Sequence, residues 1–363
     1  MKKVLLLEPL SPWGHKDINE VTIDILHDKY DLYYCSAEEY MEKQYSNVTY
    51  YTLDKDLFAI TSNSFDNRKR LYKAFVKMLE ITDDVNPDYI FVMSYDVIVL
   101  SLVCLIQRKY RHLYKRMYIL NHSNPDEVLS SKVKRFFYDS ISLEITNVFY
   151  EDYIGEKISE ITGRKYHVIH HNLNDYKKKV CSNVNIHDSL KNFFKDKAIF
   201  LVSVSSNEVS KDIVEQIIKL DKDGVLAEKN IKVFMKNKTL DFSSPNVLLY
   251  TSFLTDEEYA YVIEKSDYVM VLYNDQSYRY RVSGVYFDAI TFSKPVFHNE
   301  NLFIEKQRES FGDVGVMLEK NNLGVALQNV INADYKMLQD NISKVRECYS
   351  NACILKEFEE IFR

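Results

Sequence analysis

The sequence predicts an α/β protein made of two successive Rossmann-like domains, and three observations carry that expectation. Short runs rich in β-branched and aromatic residues alternate with segments of helical period along the whole chain, as parallel βα units require. A polar, aperiodic stretch, Asn172–Ser189 (NLNDYKKKVCSNVNIHDS), interrupts the series near its middle and reads as a linker. The length of 363 residues suits two domains at ~150 residues each.

Taken in order, the strand candidates of the first half are Val4–Glu8, Tyr30–Cys35, Val48–Thr52, Asp88–Ser94, Met117–Asn121, Asn147–Glu151 and Tyr166–His170. Helices lie between them. Ile18–Leu26 puts Ile18, Val21 and Ile25 on one face, and Lys69–Leu79 and Ser131–Phe137 are further candidates. Val97–Ile106 (VIVLSLVCLI) is the longest apolar run. It has half of the ~20 residues a bilayer span needs and reads as a core helix. The second series has strands at Ala198–Val204, Ile231–Lys236, Val247–Tyr250, Tyr268–Tyr273, Pro295–His298 and Gly315–Leu318. Lys211–Leu220 gathers Ile213, Val214, Ile217 and Leu220 on one helical face, and Thr255 to Glu258 spells a capping box. Helices close the chain from about Asp334 to Arg363. In such sheets ligands sit at the carboxyl ends of the strands, so the expected site is a cleft between the two domains.

Composition narrows the function classes. Hydrophobic residues make up 46% and charged residues 28%, which excludes a disordered polyelectrolyte, a coiled coil or a collagen-like chain. A net charge of −6 and a pI near 5.9 argue against a nucleic-acid binder, which needs a basic face. Five scattered cysteines without C-x-x-C spacing (Cys35, Cys104, Cys181, Cys348, Cys353) read as reduced thiols. The start, MKKVLLLEPLSPWGHKD, has too short an apolar part for a signal peptide and reads as a first buried strand. A cytoplasmic protein without a transmembrane anchor is expected. Glycine occurs only 8 times against a usual share of ~7%, and there is no G-x-G-x-x-G. A glycine at a strand-to-helix turn therefore carries extra weight.

The most informative stretch is Ser266–Asn299, SDYVMVLYNDQSYRYRVSGVYFDAITFSKPVFHN. A buried strand ends at Tyr273, a polar loop follows, and Ser283-Gly284 opens a helix. A small pair at a helix N-terminus lets backbone N–H groups approach an anion closely, and the helix dipole adds roughly half a positive charge there. Arg279 and Arg281 flank the pair and suit bidentate clamping of a diphosphate. Asp288, one turn further along, is placed to reach a sugar hydroxyl.

These pieces (SDYVMVLY, RVSGVYFDAI and SKPVF) resemble the donor-binding signature of retaining GT-B glycosyltransferases, the group 1 or family 4-like enzymes that use nucleotide sugars. VIHHNL at Val168–Leu173, Ser205-Ser206 through Lys211 and SFLTDEEYAYVIEKSD extend the resemblance over almost the whole chain. The pattern departs at two points. The family's first acid falls on Tyr280 and its second on Asp288, and the usual glycine of the later turn is Ser293. The resemblance implies a GT-B fold with an N-terminal acceptor domain (1–175), a linker (176–190), a nucleotide-sugar-binding domain (191–345) and a C-terminal helix (346–363) returning to the first domain.

The resemblance also assigns roles. His122, after the strand Met117–Asn121, Arg281 and Lys211 are the catalytic candidates, Lys211 and Arg281 by neutralising the leaving diphosphate. Ser283, Gly284, Asp288, Arg279 and Lys236 are the donor-binding set. Gly14 and His15 sit at the acceptor-side loop. Asp96 and Tyr95 are weaker candidates, for which helix capping is the plain alternative. His170-His171 is no metal pair, since neighbours on a strand face opposite ways. No aspartate pair has metal-ligand spacing, so no metal and no cofactor beyond the nucleotide-sugar substrate is expected. Arg108–Arg116 (RKYRHLYKR) and Ser131–Phe137 (SKVKRFF) interleave cations with aromatic and apolar residues. This pattern suits either an anionic membrane surface or a solvated helix face. The expected function is transfer of a sugar from a nucleotide-diphosphate donor to a glycan or lipid-linked acceptor of surface polysaccharide synthesis, with retention and without metal. Two alternatives stay open, a non-catalytic nucleotide- or partner-binding member and a nucleotide-sugar 2-epimerase-like enzyme.

Overall fold

The computed structural model describes residues 1–10, 14–37, 44–58, 64–173, 186–205, 209–238, 240–273, 278–319 and 322–363. Two compact units emerge. The first comprises Met1–Asn172, Tyr280–Val282 and Ser350–Arg363; the second comprises Leu173–Arg279 and Ser283–Tyr349. Most of the expected linker 176–190 lies outside the described residues, and its last part is helical, since Asp188–Phe193 begins a helix. Arg346, expected with the returning C-terminal helix, instead donates to Ser293 inside the second unit.

The first unit is a parallel sheet of seven described strands: β1 (Lys3–Leu7), β2 (Asp31–Ala37), β3 (Val48–Leu53), β4 (Tyr89–Val92), β5 (Met117–Leu120), β6 (Thr146–Phe149) and β7 (Tyr166–Val168). Their order is β3-β2-β1-β4-β5-β6-β7. Val4 to Leu7 of β1 are wholly buried, as a central strand covered on both faces must be. Its register pairs Val4 with Leu32 on one side and with Tyr89 on the other. Helices α1 (Lys16–Leu26), α2 (Phe65–Val85), α3 (Val97–Ile106), α4 (Asn124–Ser130), α5 (Lys132–Asp139) and α6 (Asp152–Thr162) connect the strands. Local chemistry sets their ends. Ser64 caps α2 through Asn67 N–H, and Asn86 closes it in the left-handed region ahead of Pro87. The C-terminal helix Asn351–Ile361 completes this unit, with Phe358 and Phe362 packing on Phe91 and Phe362 stacking on Tyr89.

The second unit's sheet has the order β10-β11-β9-β8-β12-β13-β14, from β8 (Ile199–Ser203), β9 (Ile231–Lys236), β10 (Phe242–Ser243), β11 (Val247–Tyr250), β12 (Tyr268–Val271), β13 (Val296–Asn299) and β14 (Gly315–Leu318). The short β10 pairs antiparallel with β11 and is too brief for sequence periodicity to reveal. The capping box at Thr255 and Glu258 forms as expected, opening the helix Asp256–Lys265. Among the described residues no helix is long and apolar enough to cross a membrane.

Candidate functional site

In both sheets the strand order reverses at a point of crossover, between β1 and β4 in the first and between β8 and β12 in the second. Outside the carboxyl ends of such strands is where ligands bind in open α/β sheets. The sequence candidates fall largely around these two places.

At the first crossover the key group is one that the sequence reading did not single out. Glu8 follows β1 and is fully buried. A carboxylate in that position needs donors around it. Ser94, after β4, donates its hydroxyl to Glu8. Asn19 of α1 donates at 3.3 Å, and Leu10 N–H does so at the same distance. His15 Nδ1 lies 3.2 Å from the same carboxylate oxygen that Asn19 bonds. Burial alone would lower the His15 pKa, but the charge and hydrogen bond of Glu8 outweigh it and raise it above its ordinary value. Gly14 is exposed in the turn just before α1.

His122, after β5, meets His15 edge to face at 5.2 Å and Tyr150 at 5.7 Å. Tyr150 in turn meets His171 at 4.8 Å. Burial, helped by His15, His171 and Arg281, holds His122 well below its usual pKa. The same burial takes His171 down to about 4. Two imidazoles held toward the neutral form thus stand beside one drawn toward its charged form.

Arg281 differs from its expected role. Its Nε donates to Asp126 at 2.9 Å, and Tyr280 N–H donates to the other carboxylate oxygen at 2.9 Å. Asp126 sits on α4, and its burial raises its pKa despite the arginine. The guanidinium is therefore anchored by a partner that lies 155 residues away in sequence. Asp96 and Tyr95 take the plain reading. Asp96 caps α3 through Val99 N–H at 2.9 Å, and the Tyr95 hydroxyl bonds Asn121 at 2.5 Å. His170 and His171 lie beyond the end of β7, so the strand alternation expected for them does not apply, and they have different partners. His170 pairs with Glu357 of the C-terminal helix, whereas His171 bonds the Asn172 carbonyl.

In the second unit Ser283 is the N-cap of the helix Gly284–Thr291, its side chain accepting from Tyr286 N–H. The Tyr273 hydroxyl lies 2.7 Å from Ser283 Oγ, and Asn299 brackets the Tyr273 backbone with bonds of 3.1 and 2.6 Å. Gly284 is exposed, and a Cβ built on it would meet nothing within 4 Å. Of the first-turn N–H groups, that of Tyr286 is taken up by Ser283, and the space beside the Gly284 Cα is open.

Three candidates of the second unit, two for donor binding and one catalytic, have other partners. Asp288 is buried and accepts the Tyr259 hydroxyl at 2.6 Å, so its carboxylate is turned onto the neighbouring helix instead of standing free for a sugar. Lys236 at the end of β9 donates to the carbonyls of Thr251 and Ser252, and burial beside Lys238 lowers its pKa. It braces the loop after β11. Lys211 is 78% exposed and pairs with Glu215 one turn along its own helix at 3.4 Å, which makes it a solvated first-turn lysine here. Arg279 belongs to the second unit. Ser206 and residues 274–277 lie outside the described residues. Among the described residues no group of three or more His, Cys, Asp or Glu side chains is arranged to hold a metal ion.

No protein-family model matches the sequence, and none of the curated proteins matches it either. Solved structures do. An α,α-trehalose-phosphate synthase (UDP-forming) from Burkholderia xenovorans, in complex with glucose-6-phosphate, is 8% identical over 100% of both chains with a TM-score of 0.71. An E. coli trehalose-6-phosphate protein bound with UDP-2-fluoro glucose is 9% identical over 99% of this chain and 98% of its own, with a TM-score of 0.68. A glycosyltransferase from Rickettsia africae is 13% identical over 99% and 97%, with a TM-score of 0.62. Together with the two crossed-over parallel sheets, this similarity shows that the chain has the GT-B fold of glycosyltransferases.

Proposed function

We propose that the protein is a glycosyltransferase that moves a sugar from a nucleotide-diphosphate donor to a glycan or lipid-linked acceptor. The observation that carries this reading is the Ser283-Gly284 turn, which opens a helix after the crossover strand β12 with clear space beside the Gly284 Cα. A departing diphosphate gains negative charge as the bond from the anomeric carbon to its oxygen breaks. Preorganised N–H dipoles that need no reorientation are the strongest general way to stabilise such charge. The fold's likeness to UDP-forming synthases makes a uridine diphosphate sugar the first donor to test. Surface polysaccharide as the product, retention at the anomeric carbon and transfer without metal complete the reading, all resting on the resemblance of the donor segment. A cytoplasmic location, where nucleotide sugars are available, goes with it.

The test is a thermal-shift panel of UDP, GDP, dTDP, ADP and CMP on the wild-type chain and on Gly284→Val. One diphosphate at ~100 times its dissociation constant stabilises by about 2.7 kcal/mol. Gly284→Val, whose side chain enters free space and so leaves folding intact, loses at least about a hundredfold in affinity. A chain that answers to none of the nucleotides overturns the reading.

The position of Asp288 favours a second reading, a nucleotide-binding protein without transfer. The family's first acid is Tyr280, and the second is held by Tyr259. On this reading the panel responds, but UDP-sugars are neither hydrolysed nor consumed.

A further inference from the structure

The buried carboxylate at the first crossover is occupied on both oxygens. One accepts the Ser94 hydroxyl and Leu10 N–H; the other accepts Asn19 Nδ2 and faces His15 Nδ1. These partners come from the chain just after β1 and β4 and from α1, which fixes the carboxylate and, through it, the imidazole. The Glu8 side chain is wholly shielded from solvent, whereas that of His15 is 17% exposed. The pair therefore opens outward through its imidazole, at the carboxyl ends of the parallel strands where ligands lie.

Tautomer chemistry gives that opening a use. Donating Nδ1–H to Glu8 leaves the lone pair on Nε2, and no hydrogen bond occupies Nε2 among the described residues. Three imidazoles, His15, His122 and His171, gather here with Tyr150. Burial makes His122 and His171 weaker bases than an ordinary imidazole; His15 adds to this at both, and Arg281 at His122. Burial alone would weaken His15 too, but Glu8 reverses that and leaves it a stronger base than usual. Lys16 and Asp17 follow His15 on α1, yet Glu8 is the charge that moves it. The Tyr34 hydroxyl, which accepts from Asn19 at 3.2 Å, keeps its proton, since burial and Glu8 both raise its pKa. A base works best when its pKa lies near the working pH, and His15 is the ring of the three brought there.

We infer that His15 Nε2 is the general base of the transfer, taking the proton of the acceptor hydroxyl, and that Glu8 is its positioning residue. The inference rests on the transfer proposed above and adds to it the group that handles the proton. The acceptor O–H bond breaks, its electron pair forms the new bond to the anomeric carbon, and its proton passes to Nε2. The bond from that carbon to the diphosphate oxygen breaks, and its electrons leave with the diphosphate. The imidazolium, held by Glu8 and open to solvent, then returns its proton to water. The rival proton acceptor is the departing phosphate, which needs no side chain of the first unit.

The test follows release of UDP from UDP-glucose, UDP-galactose and UDP-N-acetylglucosamine across the pH range, with water serving as the acceptor. In the full wild-type chain the rate rises with pH through an acidic limb above the ordinary imidazole value of ~6.5. His15→Ala loses that limb and roughly a hundredfold or more of kcat, while its affinity for UDP is kept. Added imidazole restores part of the lost rate, which it could not do for a ring that only packs. Glu8→Gln moves the limb to lower pH, because burial then acts on His15 alone; a merely structural glutamate would lower the rate without moving it. His15→Ala at near wild-type rate, or a limb that stays in place in Glu8→Gln, overturns the inference and leaves the transfer standing. A wild-type chain that binds UDP but releases none from any of the three donors overturns the transfer and the base together.

Discussion

The two sheets have the same parallel architecture with a crossover in the same relative place, yet what they put at that crossover is opposite in kind. The first collects titratable side chains: Glu8, His15, His122 and His171, packed with Tyr150 and bonded to one another or to neighbouring polar groups. The second offers hydroxyls and backbone, with Tyr273 fixing Ser283 and, among the described residues, nothing within 4 Å of a Cβ built on Gly284. One end presents charge and protonation, the other the shape of a main-chain turn. A side-chain site is sensitive to substitution and pH through its stability. A backbone site is sensitive to added bulk and hardly to pH.

The largest effect that would break this contrast is at Glu8. Glu8→Ala leaves Ser94, Asn19, Leu10 N–H and His15 without their shared acceptor in a buried place, and should cost about 3 kcal/mol of stability. Denaturant unfolding measures it, and the diphosphate response of the second unit should persist in the variant under native conditions. A loss below about 1 kcal/mol would mean that the cluster is far looser than its hydrogen bonds imply.

Acidification comes next. His171 titrates at about 4 when folded and near 6.5 when unfolded. The unfolded chain therefore takes up its proton first as the pH drops. Stability contributed by the neutral ring is complete above ~6.5 and is lost progressively toward ~4, by about 2 kcal/mol at pH 5. His122, also lowered, adds to the loss, whereas the raised His15 opposes it. His171→Leu should remove its share of the slope between pH 7 and pH 5. An unchanged slope would place the acid sensitivity elsewhere.

The smallest expected effect belongs to the second unit. Ser293 sits at φ +57°, the left-handed region that costs a residue with a Cβ roughly 1–2 kcal/mol, and the resembled family has glycine there. Its hydroxyl accepts from Arg346 at 2.9 Å, which offsets part of the strain. Ser293→Gly should stabilise by about 0.5–1 kcal/mol, read as a rise in melting temperature. A fall would show that the Arg346 bond outweighs the backbone term.

How much of this was legible in the sequence follows from where each interaction lies along the chain. Buried parallel strands are short apolar runs, so every expected strand coincides with an observed one, within a few residues at the ends. The Ser283-Gly284 cap, the Thr255 box and the Asp96 cap are local and readable. Glu8 reads as the tail of an apolar strand because its partners come from α1 and from Ser94, 86 residues on. Asp126 with Arg281 and Tyr259 with Asp288 are likewise pairings made by the fold. Lys211 shows the converse, since position suggested a phosphate contact but only coordinates could reveal a side chain left in water.

The first unit is assembled from three separate pieces of chain, the last being Ser350–Arg363, whereas the second is drawn from residues 173–349 with one three-residue excursion. During synthesis the first unit's sheet emerges before the second unit, but the rings of Phe358 and Phe362 that cover Phe91 and Tyr89 emerge after it. The order of completion is thus inverted with respect to the order of translation. The nascent chain must carry an unfinished apolar face through the making of the second unit, and a nick just before Ser350 would strike the first unit, not the second.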